Sequence, residues 1–240
     1  MSAQNTLVIF ITELRKSIRN LLFALGLITL GNFLLAPELL KTVQFHLADK
    51  LYFFSVAGPF LAHVKLALFV SFFLLVPWLT SVVWNSLGRA FTVPGKQIFF
   101  FIFFTCILFY GGTVFCYFVT LPFGIHFLLG FGSEELQPVI SIGKFVNFIT
   151  IFILAFGLIF ELPVFMVFLS WVNVFNRHFY ERNRRYAILV IAIAAALLTP
   201  TPDVVNMMLM GGPLYLLYES GILIIRVLGV GEDGQKTRTQ

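Results

Sequence analysis

Few ionisable side chains lie within the apolar stretches of this 240-residue chain, and Glu161 is the most isolated of them. It stands in the run AFGLIFELPVF, residues 155–165, and no other charged residue lies between Lys144 and Arg177. An ionised side chain at the centre of a bilayer costs at least about 2.5–3.5 kcal/mol. Glu161 is therefore expected to be protonated, to face a wet cavity or to be paired. Pro163 is expected to bend the helix and free a carbonyl group beside that carboxyl group.

The residues alone leave three roles open for Glu161. The carboxyl group could form a hydrogen bond to a neighbouring helix and only stabilise the fold. It could relay protons or ions across the membrane, as buried carboxyl groups do in transporters. It could also contact a polar group of another membrane subunit.

Other polar residues stand close to the ends of apolar segments. Glu13 and Arg15, in FITELRK, precede the first long apolar run, where they form either a solvated charge cluster or a binding site. Asp203 follows the turn TPTPD and is expected to cap a helix by accepting backbone N–H groups. Glu219 lies near the end of the last apolar run, within reach of water.

The motifs of soluble enzymes are missing from the sequence. It contains no G-x-x-x-x-G-K-[ST], H-E-x-x-H or G-x-S-x-G pattern, and its four histidines are scattered. Cys106 and Cys116 lie ten residues apart in one apolar segment, too far along a helix to form a disulfide. We predict no catalytic residue, no metal and no cofactor. An intramembrane hydrolase is disfavoured because no nucleophile is paired with a base.

Composition indicates a polytopic membrane protein. The chain is 59% hydrophobic and 11% charged, whereas soluble domains carry about 25% charged residues. Its mean hydropathy is +0.95. The net charge of +5 is explained by basic loops that face the cytoplasm, because no basic run is interleaved with aromatic residues as in nucleic-acid sites.

The predicted fold is an all-α membrane protein with six transmembrane helices that form a concave bundle. The fifth and sixth spans are expected to be short, and prolines 77, 122, 163 and 213 to kink or interrupt their helices. An amphipathic helix with Leu7, Leu14 and Ile18 on one face precedes the first span and is expected to lie on the membrane surface. Residues 1–228 form one membrane domain in this prediction, and residues 229–240 a disordered cytoplasmic tail. The six spans are 19–37, 64–86, 98–121, 145–172, 186–199 and 204–226.

The distribution of basic residues predicts that both termini face the cytoplasm. One set of alternate loops carries 12 lysine and arginine residues and the opposite set carries 4. Trp84 and Trp171 fall at the predicted cytoplasmic ends of the second and fourth spans, where an aromatic belt is expected. The 4 basic residues of the outer loops are Lys41, Lys50, Lys65 and Lys144.

Five segments in this order resemble the TatC family, the multispanning subunit of the twin-arginine protein translocase. The segments are FITELRK at 10–16, GPFLAHVKL at 58–66, AFGLIFELPV at 155–164, LLTPTPDV at 197–204 and PLYLLYES at 213–220. The resemblance implies a receptor that binds signal peptides with paired arginines. It implies that the translocase exports folded proteins across the bacterial cytoplasmic membrane and uses the proton gradient to do so. It also implies single-span TatA/TatB-type partner subunits, a homo-oligomer within the receptor complex, and no covalent chemistry.

The resemblance also implies roles for particular residues. Glu13 would belong to the pocket that binds the arginine pair, and Arg15 would hold its local structure. Glu161 and Pro163 would contact the partner subunits. Pro59 and Phe60 match the outer-face motif of the family, and Asp203 matches its second outer loop.

One loop departs from the family pattern. The family usually has a signal-peptide-binding glutamate in the loop between spans two and three, where this chain reads LGRAFTVPGKQ, with Gly95 at that position. No acidic residue occurs from Lys65 to Gly130, so the pocket would have one carboxylate instead of two. The alternative function is a small proton-coupled secondary transporter that uses Glu161 as its protonatable site. That alternative predicts a repeated half, which the sequence lacks.

Overall fold

The fold is almost entirely helical. The computed structural model describes residues 3–44, 51–130, 140–198 and 204–230, and it places the side chains of 17–41, 51–125, 130, 140–196, 207–208 and 210–230. The helices are α1 (Ala3–Gln44), α2 (Gly58–Ala90), α3 (Gly95–Phe115), α4 (Leu121–Leu129), α5 (Ile142–Phe160), α6 (Leu162–Trp171), α7 (Arg177–Arg182), α8 (Arg184–Leu198) and α9 (Val204–Leu228). A π-helical turn, Cys116–Thr120, joins α3 to α4. Two short parallel strands, β1 (Leu51–Tyr52) and β2 (Ile140–Ser141), pair Leu51 with Ile140.

Within the described chain, helices account for most of each of the six predicted spans. Five stretches of the described chain are long and apolar enough to cross a membrane: Ser17–Lys41, Gly58–Ala90, Gly95–Ile125, Ile142–Trp171 and Met210–Leu228. The fifth predicted span corresponds to α8, which has 15 residues. A crossing by α8, and with it the count of six and the cytoplasmic position of both termini, stays a prediction. The sixth predicted span lies in α9, which has 25 residues, and the apolar stretch Met210–Leu228 within it has 19, so the expected shortness of the sixth span also stays a prediction.

The amino-terminal segment forms a single helix. The sequence predicts a surface helix followed by a separate span, but α1 runs through both in 42 residues. No glycine or proline occurs from Ala3 to Leu25, so no residue in this part of the chain stops helix propagation.

The prolines have different effects in different helices. Pro77 lies inside α2 and Pro213 inside α9, and both helices continue past their proline. Pro122 is the second residue of α4, which begins directly after the π-helical turn. Pro163 lies in the first turn of α6, just after α5 has ended. Bending of the long helices stays a prediction.

The chain divides into two compact units. The first contains residues 1–107 and 132–153, and the second contains 108–131 and 154–240. In the first unit α1 packs along α2, and the amide of Asn32 donates a 2.8 Å hydrogen bond to the Ser71 hydroxyl. Ala62, Leu66 and Val146 form a buried cluster in this unit. The single membrane domain expected for residues 1–228 stays a prediction, and residues 231–240 lie outside the described chain.

Trp84 is a core residue of the first unit. It is only 3% exposed, its ring stacks on Phe101 with 4.9 Å between centroids, and its indole N–H donates to the Thr105 hydroxyl at 2.9 Å. The predicted place of Trp84 in a lipid-facing aromatic belt is therefore wrong. The buried hydroxyl of Thr105 supplies the polar contact that the headgroup region would otherwise give.

In the second unit, two glycines allow close helix packing. A Cβ atom added at Gly112 would lie 2.6 Å from Cγ of Phe160 and 2.9 Å from the carbonyl oxygen of Phe156. One added at Gly157 would lie 2.8 Å from Cε2 of Phe109. The end of α5 therefore lies directly against α3 in this unit, which places the following residue, Glu161, in the packed interior.

Candidate functional site

Glu161 lies at the break between α5 and α6. Glu161 is buried, with 4% of its surface exposed. Its backbone N–H donates to the carbonyl of Leu158 at 3.2 Å, and its carbonyl accepts from the N–H of Phe165 at 3.1 Å. Glu161 thus occupies the N-cap position of α6, with φ −71° and ψ −12°.

Pro163 explains why the helix breaks at this place. It is fully buried in the first turn of α6, where a missing N–H costs little because those donors have no intrahelical acceptor. The same missing N–H leaves the carbonyl of Ile159 without its usual donor four residues on. A position of this carbonyl group beside the Glu161 carboxyl group stays a prediction.

Contacts from α9 and α7 fix the position of α6. A Cβ atom added at Gly221 would lie 2.8 Å from Sδ of Met166 and 3.4 Å from Cα of Pro163, so α9 passes close to the helix break. The hydroxyl of Tyr218 donates to the carbonyl of Tyr180 at 2.8 Å. Burial raises the pKa of Tyr180 above its ordinary value, which keeps its hydroxyl protonated as a donor.

A polar network that the sequence does not reveal links α8 to α9. Nη2 of Arg184 lies 2.9 Å from Oε2 of Glu219, and the hydroxyl of Tyr215 donates to Oε1 of the same carboxylate at 2.9 Å. Arg184 and Glu219 are separated by 35 positions, so only the tertiary fold brings them together. The predicted access of Glu219 to water agrees with its 30% side-chain exposure.

A second ion pair lies within α7. Nε of Arg177 is 2.7 Å from Oε1 of Glu181, at a spacing of four residues. The hydrogen bond from this guanidinium group lowers the pKa of Glu181 below its ordinary value. Both residues belong to the loop between the apolar stretches that end at Trp171 and begin at Met210.

Pro59 and Phe60 begin α2. Pro59 stands in the first helical turn, and its carbonyl oxygen lies 2.8 Å from Nδ1 of His63. Phe60 is 58% exposed and meets Phe33 of α1 edge to face, with 5.8 Å between ring centroids. These two residues therefore stand at the edge of the first unit, at the start of an apolar stretch.

Three predicted site residues have no described side chain. Glu13 and Arg15 belong to the backbone of α1, but their side chains lie outside the described part of the chain, as does the whole of Asp203. Their grouping into one site stays a prediction. Gly95 is the first residue of α3, and a Cβ atom added there would meet nothing within 4 Å.

Potential metal ligands do not cluster in the described part of the chain. Among the residues whose side chains are placed, no group of three or more histidine, cysteine, aspartate or glutamate residues could hold a metal ion.

Long apolar helices and a buried carboxyl group at a helix break define this chain as an integral membrane protein. Residues 10–213 match the family model described as Sec-independent protein translocase protein (TatC). The chain belongs to the TatC family, and it is therefore a membrane component of a protein translocase complex.

Individual relatives support the same assignment. The TatC protein of Carboxydothermus hydrogenoformans is 38% identical over 185 residues, which cover 75% of this chain and 74% of the relative. That of Escherichia coli strain K12 is 30% identical and covers 98% of this chain and 95% of the relative. A crystal structure described as the twin arginine translocase receptor TatC in DDM shares 27% identity. It aligns with a TM-score of 0.76 over 90% of this chain and 98% of its own.

Family membership decides between the two functions considered from the sequence. The matched proteins are described as protein translocase components, which favours protein transport over a small-solute transporter built around Glu161.

Proposed function

We propose that this chain is the receptor for twin-arginine signal peptides and the core subunit of a translocase that exports folded proteins across the bacterial cytoplasmic membrane. The observation that carries the proposal is its likeness, over 90% of its length, to a solved structure described as a twin arginine translocase receptor. Export would draw its energy from the proton gradient.

Glu13 is the residue proposed to bind the arginine pair. A carboxylate accepts two parallel hydrogen bonds from a guanidinium group, which a lysine ammonium cannot donate in the same geometry. Positions 13 and 15 both lie in α1 and are about 200° apart around a helix axis. We therefore propose that Glu13 contacts the arginine pair, and that Arg15 maintains the local structure of the receptor site.

Glu161 and Pro163 are proposed to form the contact for single-span TatA/TatB-type subunits. Glu161 is only 4% exposed, so this role requires the carboxyl group to become accessible when a partner helix docks. The helix break supports that movement, because α6 can shift at Pro163 without the loss of a regular hydrogen bond.

The remaining predicted residues belong to the outer face. We propose that Pro59 and Phe60 form part of an outer-face contact surface, which agrees with the exposure of the Phe60 ring. Asp203 is proposed to belong to the same face as part of the second outer loop. Several copies of the chain are proposed to assemble within one receptor complex.

Export in cells tests the proposed function. The chain would be produced, with the single-span subunits of its own organism, in bacteria that lack their own TatC. A folded fluorescent reporter with a twin-arginine signal peptide should reach the periplasm, and the same reporter with a twin-lysine signal should not. The proposal would be contradicted if the chain reached normal levels in the membrane but the twin-arginine reporter did not reach the periplasm.

A further inference from the structure

A cavity of about 410 Å³ lies in the first unit, where α2 and α5 begin. One wall is formed by residues 53–65 and the other by 141–147, next to the pairing of β1 with β2. The residues proposed above for signal-peptide and partner-subunit binding do not line it. The cavity is thus separate from the proposed signal-peptide and partner-subunit contacts, although two of its lining residues, Gly58 and Leu61, flank the proposed outer-face residues Pro59 and Phe60.

Two lysines give the cavity a positive charge. Lys65 of α2 and Lys144 of α5 both line it and are exposed. Neither has a hydrogen bond or an ion pair with any residue that the structure describes, whereas the nearby Lys41 is paired with Glu38 at 2.9 Å. No acidic side chain of the described chain lines the cavity. As far as the described residues go, both ammonium groups are available to an anion.

Backbone and hydroxyl groups add further donors at the same place. The amino-terminal ends of α2 and α5 both reach the cavity wall, and helix amino termini carry partial positive charge. Ala57, at the N-cap of α2, supplies no side-chain cap. The hydroxyl groups of Ser55 and Ser141 also line the cavity. Together with the lysines, these groups suit an anion that has several oxygen atoms.

The surroundings of the cavity are those of a membrane boundary. The apolar stretches Gly58–Ala90 and Ile142–Trp171 both start at its wall. Phe53 and Phe54 line it while remaining 67% and 73% exposed. Lysines at the end of a membrane helix keep their ammonium groups at the headgroup level, with their apolar stems along the acyl region. A soluble anion would use the charges of this cavity but not the exposed aromatic rings.

We propose that this cavity binds the phosphodiester headgroup of an anionic membrane phospholipid. Lys65 and Lys144 hold the phosphate oxygens, and Phe53 and Phe54 pack against the start of the acyl chains. The bound lipid would fill the space between the starts of α2 and α5 and hold them together. Lipid binding at this site does not depend on arginine-pair recognition. The lipid proposal and the proposed receptor function can therefore be tested independently.

Native mass spectrometry of the purified full-length protein tests the proposal. Phosphatidylglycerol and phosphatidylcholine with identical acyl chains would be added in increasing amounts, and the Kd of the first bound lipid would be measured for each. The intact protein should bind phosphatidylglycerol about thirtyfold more tightly, as expected for two lysines at a membrane surface. The double variant Lys65→Gln/Lys144→Gln should lose this preference.

Matched variants separate the site from general charge effects. The double variant Lys41→Gln/Lys96→Gln removes the same charge elsewhere in the first unit and should keep the preference. Lys65→Arg/Lys144→Arg should keep it too, because both positive charges remain in the cavity wall. Equal Kd values for the two lipids in the intact protein, or an equal loss in the control, would overturn the proposal. Displacement of phosphatidylglycerol by excess sodium phosphate would also overturn it, by assigning the cavity to free phosphate.

Discussion

Glu161 combines burial with a position at a helix break. Carboxyl groups are seldom buried within membrane segments, and this one lies two residues before Pro163, which has no N–H to donate to the carbonyl of Ile159. A purely structural role would make the residue important for stability alone. The proposed contact with partner subunits makes it important for assembly as well, and the two roles can be measured separately.

For Glu161→Ala, we expect weaker recovery of the single-span subunits and unchanged binding of the signal peptide. Loss of one intramembrane hydrogen bond of about 1 kcal/mol corresponds to roughly fivefold weaker assembly. The measurement is a pull-down in mild detergent with the tagged chain, and Glu161→Gln, which keeps the hydrogen-bonding groups, is the control. Equal partner recovery from the intact protein and the alanine variant would reject the assembly role.

Gly95 offers a gain-of-function test of arginine-pair recognition. The space around its Cβ position is open, and the first turn of a helix favours an acidic residue. The variant Gly95→Glu should therefore fold normally and raise the yield of crosslinks to a twin-arginine signal peptide. Gly95→Gln is the uncharged control. Charge recognition would not be involved if Gly95→Gln raised the crosslink yield as much as Gly95→Glu. The same conclusion would follow if Gly95→Glu raised the yield equally for a twin-lysine peptide.

Glu181 gives the stability of the second unit a dependence on pH. Its pKa in the folded protein is lowered by the hydrogen bond from Arg177, so the contribution of this pair is complete above the ordinary value of 4.5. It is lost as the pH falls through the lowered pKa of the folded state. Glu181→Gln should therefore lower the Tm at pH 7, and the difference from the intact protein should shrink below pH 4.5. If the Tm difference between Glu181→Gln and the intact protein stays constant down to pH 3, this ion pair is not the source of that difference.

At the scale of elements, α3 and α5 pack closely just before the break between α5 and α6. Gly112 and Gly157 allow α3 and α5 to approach until an added Cβ atom would lie within 3 Å of a neighbouring residue. In membranes, such small residues stabilise helix pairs because apolar side chains alone gain little from leaving lipid.

The neighbouring residues Gly111 and Gly112 provide a matched pair of variants. Gly112→Ala places its methyl group against Phe160 and the backbone of Phe156, which should cost about 1–3 kcal/mol and lower the Tm by about 3 °C or more. Gly111→Ala meets nothing within 4 Å and should leave the Tm unchanged or raise it, because alanine favours the helix. Thermal unfolding in detergent measures both. Similar Tm values for the two variants would contradict the packing described for α3 and α5.

Helices were the part of the fold most open to sequence-based prediction. Their existence follows from apolar runs of about 20 residues, because lipid leaves the backbone no other way to satisfy its hydrogen bonds. Their ends and interruptions were less predictable: α2 passes Pro77 unbroken, whereas the chain breaks at Glu161. A proline removes one donor wherever it stands, and the surrounding packing decides whether the helix continues past it.

Side-chain partners were mostly beyond prediction. The burial of Glu161 could be expected from its apolar flanks, but the pairing of Arg184 with Glu219 depends on how α8 meets α9. The same holds for Trp84, whose hydrogen bond to Thr105 joins two helices across 21 positions. Sequence patterns indicate whether a residue prefers an apolar or an aqueous environment. They do not indicate which residue its side chain contacts there.

At the scale of the whole molecule, we infer a membrane receptor rather than a catalyst. Its proposed work is to bind a signal peptide through a carboxylate on α1, to gather partner helices near the break before α6, and to hold lipid where α2 and α5 begin. Each of these contacts is non-covalent, and each uses a different part of the chain. We propose that this receptor recognises paired arginines with a single carboxylate, Glu13, where the resemblance to the family implies two.

Photo-crosslinking of a precursor signal peptide to membranes that contain this protein tests that claim most directly. The crosslink yield would be compared for twin-arginine and twin-lysine peptides, with the intact protein and with Glu13→Ala. We expect strong crosslinks only for the twin-arginine peptide on the intact protein, because two lysines cannot form the bidentate contact. Equal yields for the two peptides, or a twin-arginine yield that survives Glu13→Ala, would contradict the claim.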